Sequence, residues 1–337
     1  MLYEARMGGV RVDIRVPVGR PIPEVVEFIH WCEAVGLHGV GIHDHHHSGR
    51  DAYVSLALAA ARTQQISLYP VTSNTVTRHP LVLAALANSL HEVAPGRVSL
   101  TLAPGYLSVE FAGRRRASLK KLRDDVIVIR RLLQGQEASS DKVPMRLRNW
   151  PRSPLPVLLT ASGPRLLELA GEVADGVLML VGLDPRSITA ARGHLRAGAE
   201  RAGRDPKELQ EIFIVPIAIG ERSEVRNWPR RQFREGQHWL EYPSRSNLYW
   251  LRKACINLPE DMEPSGISDA LADQICDAFG LFGEPECCAE RLIRAYEESG
   301  VRHVFLFPAH TFDSGYEMPR KEIEAFDRVI GPRLPGR

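Results

Sequence analysis

The sequence predicts an α/β protein with the architecture of a (β/α)8 TIM barrel. Short apolar segments typical of strands alternate with amphipathic helical segments along the chain. Eight segments have the character of strands, at residues 10–16, 39–44, 67–73, 98–104, 156–161, 176–182, 211–220 and 302–308. No break in composition and no flexible linker divides the 337 residues. A single domain over residues 1–337 is therefore favoured, with a doubly wound open sheet as the alternative.

The helix predicted between strands four and five shows the helical pattern best. Its apolar side chains recur at alternating spacings of three and four residues and so share one face: Leu119, Leu122, Val126, Ile129 and Leu133. Ser118 can cap the start of this helix, and Gly135 can end it.

Two segments are longer than an ordinary barrel loop and are predicted to be insertions after strands 4 and 7. Residues 136–155 are polar and rich in proline. Residues 222–278 mix basic and aromatic side chains, the latter being Trp228, Phe233, Trp239, Tyr242, Tyr249 and Trp250. Because long loops in compact domains are usually functional, we expect both to cover the substrate or to form dimer contacts.

Composition excludes several classes of function. The 43 basic and 41 acidic residues leave a formal net charge of +2, which gives no reason to expect nucleic acid or an anionic membrane as a partner. No apolar run reaches the ~18 residues of a membrane span, and residues 1–20 lack the apolar core of a signal peptide. The five cysteines lack CxxC spacing, which favours reduced thiols. We expect a cytoplasmic protein that acts on a small molecule.

Polar side chains follow several predicted strands, where barrel enzymes build their active sites. In strand one, Asp13 and Arg15 alternate with apolar residues and should point together into the barrel interior. They can form a structural ion pair with each other, or Arg15 can bind a carboxylate of the substrate.

Strand two ends in a run of histidines. A histidine, with an ordinary pKa of about 6.5, suits the proton exchange that accompanies many reactions. His45 is the first candidate for a catalytic residue, with Asp44 as its orienter, whereas His46 and His47 are expected in an exposed loop. Arg78 is expected to fix a loop through an ion pair.

The same run supports a different class of enzyme. His43 and His45 form an HxH pair at a strand end, as in metal-dependent hydrolases on barrels, with Asp44 or Asp51 as further ligands. The ends of strands five and six supply no ligand, and His310 is the only obvious late candidate. This reading stays an alternative to a site without metal.

An ordered set of motifs resembles the bacterial luciferase-like superfamily of flavin- and deazaflavin-dependent oxidoreductases. Within it, the chain looks most similar to methylenetetrahydromethanopterin reductase-like proteins. The motifs are His43-Asp44-His45 with Arg50-Asp51-Ala52-Tyr53, Ser73-Asn74 with Thr77-Arg78-His79-Pro80, Pro95-Gly96-Arg97 leading into Pro104-Gly105, and Ala161-Ser162-Gly163-Pro164 through to Ala174-Asp175-Gly176.

The resemblance implies a barrel that binds coenzyme F420, or alternatively FMN, at its C-terminal mouth and transfers hydride to or from a C=N or C=C bond. It places Asp44 and His45 near the ring and a non-proline cis peptide near Val71-Thr72. It also implies a homodimer. The cofactor contacts that we carry over are Asp44, Val71, Thr72, Asn74, Gly105, Tyr106, Ala161, Ser162 and Gly163.

Two departures from the pterin reductases bear on the substrate. Those enzymes have acids near the end of strand one and after the Pro-Gly of strand four, where this chain has Arg15 and Tyr106. Both residues suit a smaller, carboxylate-bearing substrate, so we predict that they bind it. The alternatives are an FMN-dependent luciferase-like monooxygenase and a non-catalytic flavin-binding relative.

Overall fold

Eight parallel strands form the centre of the computed structural model, which describes residues 9–140, 142–242, 245–258 and 263–336. Hydrogen bonds join them in the order β3-β2-β1-β8-β7-β6-β5-β4. Bridges from Leu68 to Val98 and from Ser73 to Leu102 join β3 to the β4 segment and complete the ring, so the predicted barrel is confirmed. The strands are β1 Arg11–Val16, β2 Gly39–Ile42, β3 Ser67–Pro70, β4 Leu100–Leu102, β5 Val157–Ala161, β6 Gly176–Met179, β7 Gln210–Ile219 and β8 His303–Pro308.

Helices surround this ring and connect its strands. In α4 the hydroxyl of Ser118 accepts a hydrogen bond from the backbone N–H of Lys121, and Gly135 follows the helix with a φ of 72°, as the sequence predicts. The main helices are α1 Ile22–Ala34, α2 Ala52–Arg62, α3 Pro80–Val93, α4 Leu119–Leu133, α5 Pro164–Val173, α6 Pro185–Arg201, α7 Ser246–Lys253, α8 Asp269–Phe279, α9 Pro285–Ser299 and α10 Arg320–Ala325.

Several strands end earlier than the sequence predicts. The predicted strands 39–44, 67–73, 98–104 and 176–182 each extend two or three residues beyond the observed carboxyl ends, which lie at Ile42, Pro70, Leu102 and Met179. The apolar pattern cannot separate a paired strand residue from the extended residue that follows it. The surplus residues form the loops at the mouth of the barrel.

The interior of the barrel contains both polar side chains that β1 was predicted to place there. Asp13 and Arg15 are buried, but they do not pair with each other. The carboxylate of Asp13 lies 2.8 Å from Nε2 of His303 and accepts a hydrogen bond from the hydroxyl of Tyr69 at 2.6 Å. The predicted ion pair is therefore wrong, because the carboxylate of Asp13 contacts His303 on β8 instead.

The first insertion lies away from the mouth of the barrel. Residues Ala138–Ser140 and Val143–Met145 form a two-stranded hairpin. The segment then packs on α3, where the hydroxyl of Ser153 lies 2.8 Å from Nε2 of His91. It therefore runs toward the N-terminal end of β5.

Two observations bear on the class of protein. In the described ranges, no helix has both the length and the apolar character needed to cross a bilayer. All five cysteines are free thiols, in agreement with the prediction.

Candidate active site

A cavity of about 540 Å³ opens at the carboxyl ends of the strands. Most of the predicted site residues lie on its wall: Arg15, Asp44, His45, Val71, Thr72, Gly105, Tyr106, Ser162 and Gly163. Asn74 and Ala161 are buried behind the wall and do not line it. The side-chain oxygen of Asn74 instead accepts hydrogen bonds from the backbone of Val76 and Thr77, which holds the loop after β3.

Asp44 anchors the loop that follows β2. Its carboxylate is fully buried and accepts two hydrogen bonds from the guanidinium of Arg78, both at 3.0 Å, and one from the hydroxyl of Ser73 at 2.7 Å. Arg78 also binds Asp51 at 2.6 Å, so the predicted loop-fixing ion pair is confirmed. Because this geometry is bidentate and buried, it fixes the backbone on which His45 stands.

His45 is oriented by Tyr316. The sequence predicts Asp44 in this role, and that prediction is wrong. Nδ1 of His45 lies 2.5 Å from the hydroxyl of Tyr316, and the two rings are stacked at an interplanar angle of 6°. Burial, with His47 and His46 nearby, lowers the pKa of His45 to about 4. The imidazole is therefore neutral at physiological pH. Its Nε2 is buried and has no partner in the described part of the chain.

Arg15 is a buried cation at the end of β1. Its Nε donates to Nε2 of His43 at 2.8 Å, and its Nη2 donates to the backbone oxygen of Gly315. Nδ1 of His310 lies 3.4 Å from its Nη1. Among the described residues, no Asp or Glu forms an ion pair with it. Burial lowers its pKa to about 10, which leaves the guanidinium charged at neutral pH.

The two histidines around this cation are neutral. Burial lowers the pKa of His43 and of His310 well below the ordinary value, and the charge of Arg15 lowers both further. His46 and His47 are exposed, as predicted, and His47 stacks on Phe111 with 4.2 Å between ring centroids. The positive charge of Arg15 is thus left without a compensating anion in the wall of the cavity.

Backbone features at three strand ends shape the opposite wall. The peptide bond between Val71 and Thr72 is cis, where the family resemblance places it. Gly105 has a φ of 94°, and a Cβ at this position would lie 2.2 Å from the side chain of Val109. At Gly163, which precedes α5, a Cβ would approach the Ser246 hydroxyl to 2.9 Å. Side chains at either glycine would crowd the turns that shape the cavity.

The wall has the donors and acceptors that a flavin-like ring with a phosphate-bearing tail requires. Four buried polar atoms of wall residues lack a partner in the described ranges: Nε2 of His45, Oγ1 of Thr160, Nε1 of Trp228 and Oδ1 of Asn247. Orphaned buried polar atoms are costly unless a ligand satisfies them. Pro164 occupies the first position of α5, so this helix begins at the cavity wall with its N-terminus toward the cavity, and a helix N-terminus favours an anion. The residues present therefore fit such a cofactor.

The second insertion covers the cavity with aromatic side chains. Trp228, Phe233, Trp239 and Tyr242 all line it, and Phe233 stacks on Tyr242 with 3.7 Å between centroids. The described part of 222–278, which has gaps at residues 243–244 and 259–262, therefore covers the cavity, and its role as a substrate cover stays a prediction. No described residue of 136–155 lines the cavity, so a role as substrate cover is wrong for that segment, while a role in dimer contacts stays a prediction.

Tyr106 connects the strand-four loop to this cover. Its hydroxyl donates to the side-chain oxygen of Gln237 at 2.6 Å, and its ring lies near the guanidinium groups of Arg116 and Arg234. The ring is thus held in the wall between two cations. In the residues that the structure describes, no group of three His, Cys, Asp or Glu side chains could hold a metal ion.

Comparison with known proteins gives the family. The model of the luciferase-like monooxygenase family matches residues 8–303. The chain belongs to this family. The prediction of a luciferase-like oxidoreductase is thereby confirmed.

Curated relatives include methylenetetrahydromethanopterin reductases and F420-dependent dehydrogenases. The chain is 32% identical over 205 residues to the 5,10-methylenetetrahydromethanopterin reductase of Methanolobus tindarius, a match that spans 59% of this chain and 62% of that protein. It is 24% identical to the enzyme of the same name from Archaeoglobus fulgidus, over 92% of this chain and 96% of the relative. The F420-dependent glucose-6-phosphate dehydrogenase of Nakamurella multipartita is 28% identical over 83% and 85% of the two chains.

Solved structures agree on the fold. The F420-dependent tetrahydromethanopterin reductase of Methanopyrus kandleri superposes with a TM-score of 0.73 at 20% identity, covering 96% of this chain and 99% of the other. The oxygenating constituent of the 3,6-diketocamphane monooxygenase of Pseudomonas putida, solved with FMN, superposes with a TM-score of 0.67 at 16% identity, covering 96% and 100%. F420 and FMN enzymes therefore share this barrel.

Three residues of the site escaped sequence reasoning or were given another role. The sequence motifs give Tyr316 no role and suggest His43 and His310 as metal ligands, whereas the structure places all three around Arg15 or His45. Tyr316 and His310 follow β8, the last strand. Because active sites of barrel enzymes lie at the carboxyl ends of the strands, the position of both residues after β8 is the signal that identifies them.

Proposed function

We propose that the protein is an F420-dependent reductase that acts on a C=N or C=C bond of a small substrate bearing a carboxylate. The observation that carries this proposal is the buried, unpaired charge of Arg15 beside a neutral His45 in one cavity. The cation provides a counter-charge for the substrate, and the imidazole provides a group for proton exchange. The names of the F420-dependent glucose-6-phosphate dehydrogenases among the curated relatives support F420 as the hydride carrier.

The cofactor would occupy the side of the cavity formed by β3, β4 and β5. Val71 and Thr72 would support the ring, while the backbone at Gly105, Ser162 and Gly163 would hold its polar edge and its phosphate. Arg165 and Ser246 also line this side and add a cation and a hydroxyl. When bound, reduced F420 supplies the hydride. The protein would bind the cofactor and the substrate, orient them toward each other, and exclude water from the cavity.

The substrate would occupy the other side, between Arg15 and the aromatic cover. A carboxylate held by Arg15 relieves a charge whose burial is otherwise uncompensated, because a charge-assisted hydrogen bond is strongest where water is absent. The rings of Trp239 and Tyr242 would pack against the apolar body of the substrate. Tyr106 stands between the two sides and is proposed to contact both cofactor and substrate.

An FMN-dependent monooxygenase is the second candidate, favoured by the FMN complex among the structural neighbours. Both candidates use the same wall and differ in the ring that binds it. The neutral wall at His45, with its orphaned Nε2, suits either ring.

We also propose that the protein acts in the cytoplasm as a homodimer. Three exposed apolar side chains on neighbouring helices support dimerisation: Val54 and Leu58 on α2 and Val82 on α3, each about half exposed. Burial of this face against a second copy would remove it from water.

Turnover under anaerobic conditions tests the reaction class. Reduced F420 is mixed with the protein and a panel of imines and conjugated alkenes, each supplied as the free carboxylate and as its methyl ester. We expect oxidation of F420 with carboxylates only. Turnover with FMN and oxygen, and none with F420, would instead support the monooxygenase.

A further inference from the structure

Tyr316 and His45 form a hydrogen-bonded pair that ends at the cavity. The hydroxyl of Tyr316 meets Nδ1 of His45 at 2.5 Å, while Nε2 on the far side of the ring is buried and without a partner among the described residues. A neutral imidazole has one protonated nitrogen and one acceptor nitrogen. An imidazole nitrogen is a better acceptor than a phenol oxygen, so Tyr316 donates to Nδ1 and the ring proton resides on Nε2.

Arg15 lies close enough to Tyr316 to stabilise its anion. Its guanidinium donates to the backbone oxygen of Gly315, the residue before Tyr316, and has no carboxylate partner in the described ranges. Burial raises the pKa of the Tyr316 hydroxyl, and the charge of Arg15 lowers it. A phenolate at Tyr316 would therefore stand beside a buried cation.

We propose that Tyr316 is the proton source of the reduction and that neutral His45 relays the proton to the substrate. This inference rests on the proposed function. As hydride adds to one atom of the double bond, the electron pair of that bond moves to the other atom, which takes the proton from Nε2. The N–H bond at Nε2 breaks, a new one forms at Nδ1, and the O–H bond of Tyr316 breaks to leave a phenolate.

The relay resets when the product leaves. A water molecule that enters the cavity gives a proton to Nε2 and leaves to bulk solvent as hydroxide, while Nδ1 returns its own proton to the phenolate of Tyr316. An imidazolium is a poor alternative as the acid, because a pKa of about 4 leaves only about one ring in a thousand protonated at pH 7. The neutral form must therefore do the work.

Other ionisable groups face this pair from every side. His45 faces His46, His47 and Asp44 on its own loop and Arg15 on β1, and Tyr316 faces Arg15 and Tyr242. His310 packs against Gly315, and His43 lies near His45. The charge of Asp44 is neutralised by Arg78. Among the described groups that face the pair, the charge of Arg15 has no anionic partner, and it favours the phenolate.

The first test reads the position of the proton without any turnover. In the full-length, 15N-labelled protein without cofactor, NMR spectra of the His45 ring should show a protonated Nε2 and a bare Nδ1 between pH 6 and 9. Tyr316→Phe keeps the stacked ring and should shift His45 to a mixture of tautomers. Tyr249→Phe is a matched control, because Tyr249 bonds His194 at 3.1 Å outside the cavity, and it should leave the His45 signals unchanged.

The second test reads the pH profile of kcat with F420. The wild type should keep its activity down to about pH 5 and lose it only where Tyr316 ionises. Tyr316→Phe should lower kcat at pH 8 about 10²–10⁴-fold with little change in KM, and its kcat should rise as the pH falls toward 4. Difluorotyrosine at position 316, a more acidic phenol that retains the hydrogen bond, should move the alkaline limb to lower pH.

The results separate the relay from the proposed function. A proton on Nδ1 in the wild type, or a Tyr316→Phe profile parallel to that of the wild type, overturns the relay while F420 turnover stands. Absence of F420 turnover in every variant overturns the proposed function, whichever tautomer the spectra show.

Discussion

Nε of Arg15 donates a hydrogen bond to Nε2 of His43 at 2.8 Å. The donor is a buried cation and the acceptor is a neutral imidazole, so the pair places one full positive charge in the wall of the cavity without an anion. Proteins rarely keep such an arrangement, because the burial of a charge is costly unless it is paired. The proposed carboxylate of the substrate would supply the missing partner.

Replacement of Arg15 should abolish discrimination between a carboxylate substrate and its methyl ester. A charge-assisted hydrogen bond is worth about 1.5–3 kcal/mol, so Arg15→Gln should raise KM for the carboxylate about 10-fold to 150-fold. Steady-state kinetics with the matched acid and ester measure this. Arg165→Gln, on the cofactor side of the cavity, is the control and should keep the preference for the acid. An unchanged preference in Arg15→Gln would refute the assignment.

The buried carboxylate of Asp44 makes stability depend on Arg78. Arg78→Met leaves Asp44 fully buried without its cation, which should lower the free energy of unfolding by about 3–5 kcal/mol. Arg62→Met removes an exposed, solvent-screened ion pair with Glu27 and should leave the free energy of unfolding nearly unchanged. Urea titration compares the two variants. Equal losses would show that the pair at Asp44 does not hold the loop.

Acid should destabilise the protein through its buried histidines. Burial lowers the pKa of His43, His45 and His310 below the value of about 6.5 that they have in the unfolded chain. The unfolded state therefore binds protons that the folded state does not, and stability falls as the pH drops from about 6.5 toward 4. His45→Asn should reduce the slope of unfolding free energy against pH in this window.

His79→Asn is the control for this titration. His79 is exposed and caps α3 by accepting from the backbone N–H of Leu81, a role that asparagine also fills. The slope of this variant should equal that of the wild type. A flat profile in the wild type would contradict the burial of neutral histidines.

The dimer can be tested on α2. Leu58→Arg introduces a charge into the exposed apolar face and should convert a dimer into a monomer, measured as mass by light scattering during gel filtration. Val143→Arg changes an apolar side chain that is 60% exposed on the hairpin of the first insertion and should leave the mass unchanged. A wild-type protein with the mass of a monomer would refute the proposed homodimer.

The sequence predicts the barrel well because its signal is repeated. Each strand and helix adds an independent match to a periodic pattern, so errors at single boundaries do not change the architecture. Asp44 and His45 could be found because the second strand and its polar end are adjacent in sequence. The same locality also placed the cis peptide at Val71-Thr72 through the resemblance.

Local sequence patterns do not predict contacts between segments that are far apart in the chain. Tyr316 reaches His45 across 271 residues, and no motif marks the turn on which it stands. Asn74 and Ala161 belong to matching motifs, yet side-chain direction, which the motif does not encode, leaves them behind the cavity wall. The sequence predicts the same role for both insertions, but only the second lines the cavity. Length and composition do not specify the end of the barrel on which a segment packs.

Binding of the cofactor to the cofactor-free protein is the sharpest test of the proposed dependence on F420. We predict saturable binding of F420 in a fluorescence titration, with much weaker binding of FMN. Gly105→Ala should weaken F420 binding, because a Cβ would meet Val109 at 2.2 Å in the cavity wall, whereas Gly113→Ala, at a positive φ with open space around it, should not. Tight binding of FMN, with no binding of F420, would show that F420 is not the cofactor.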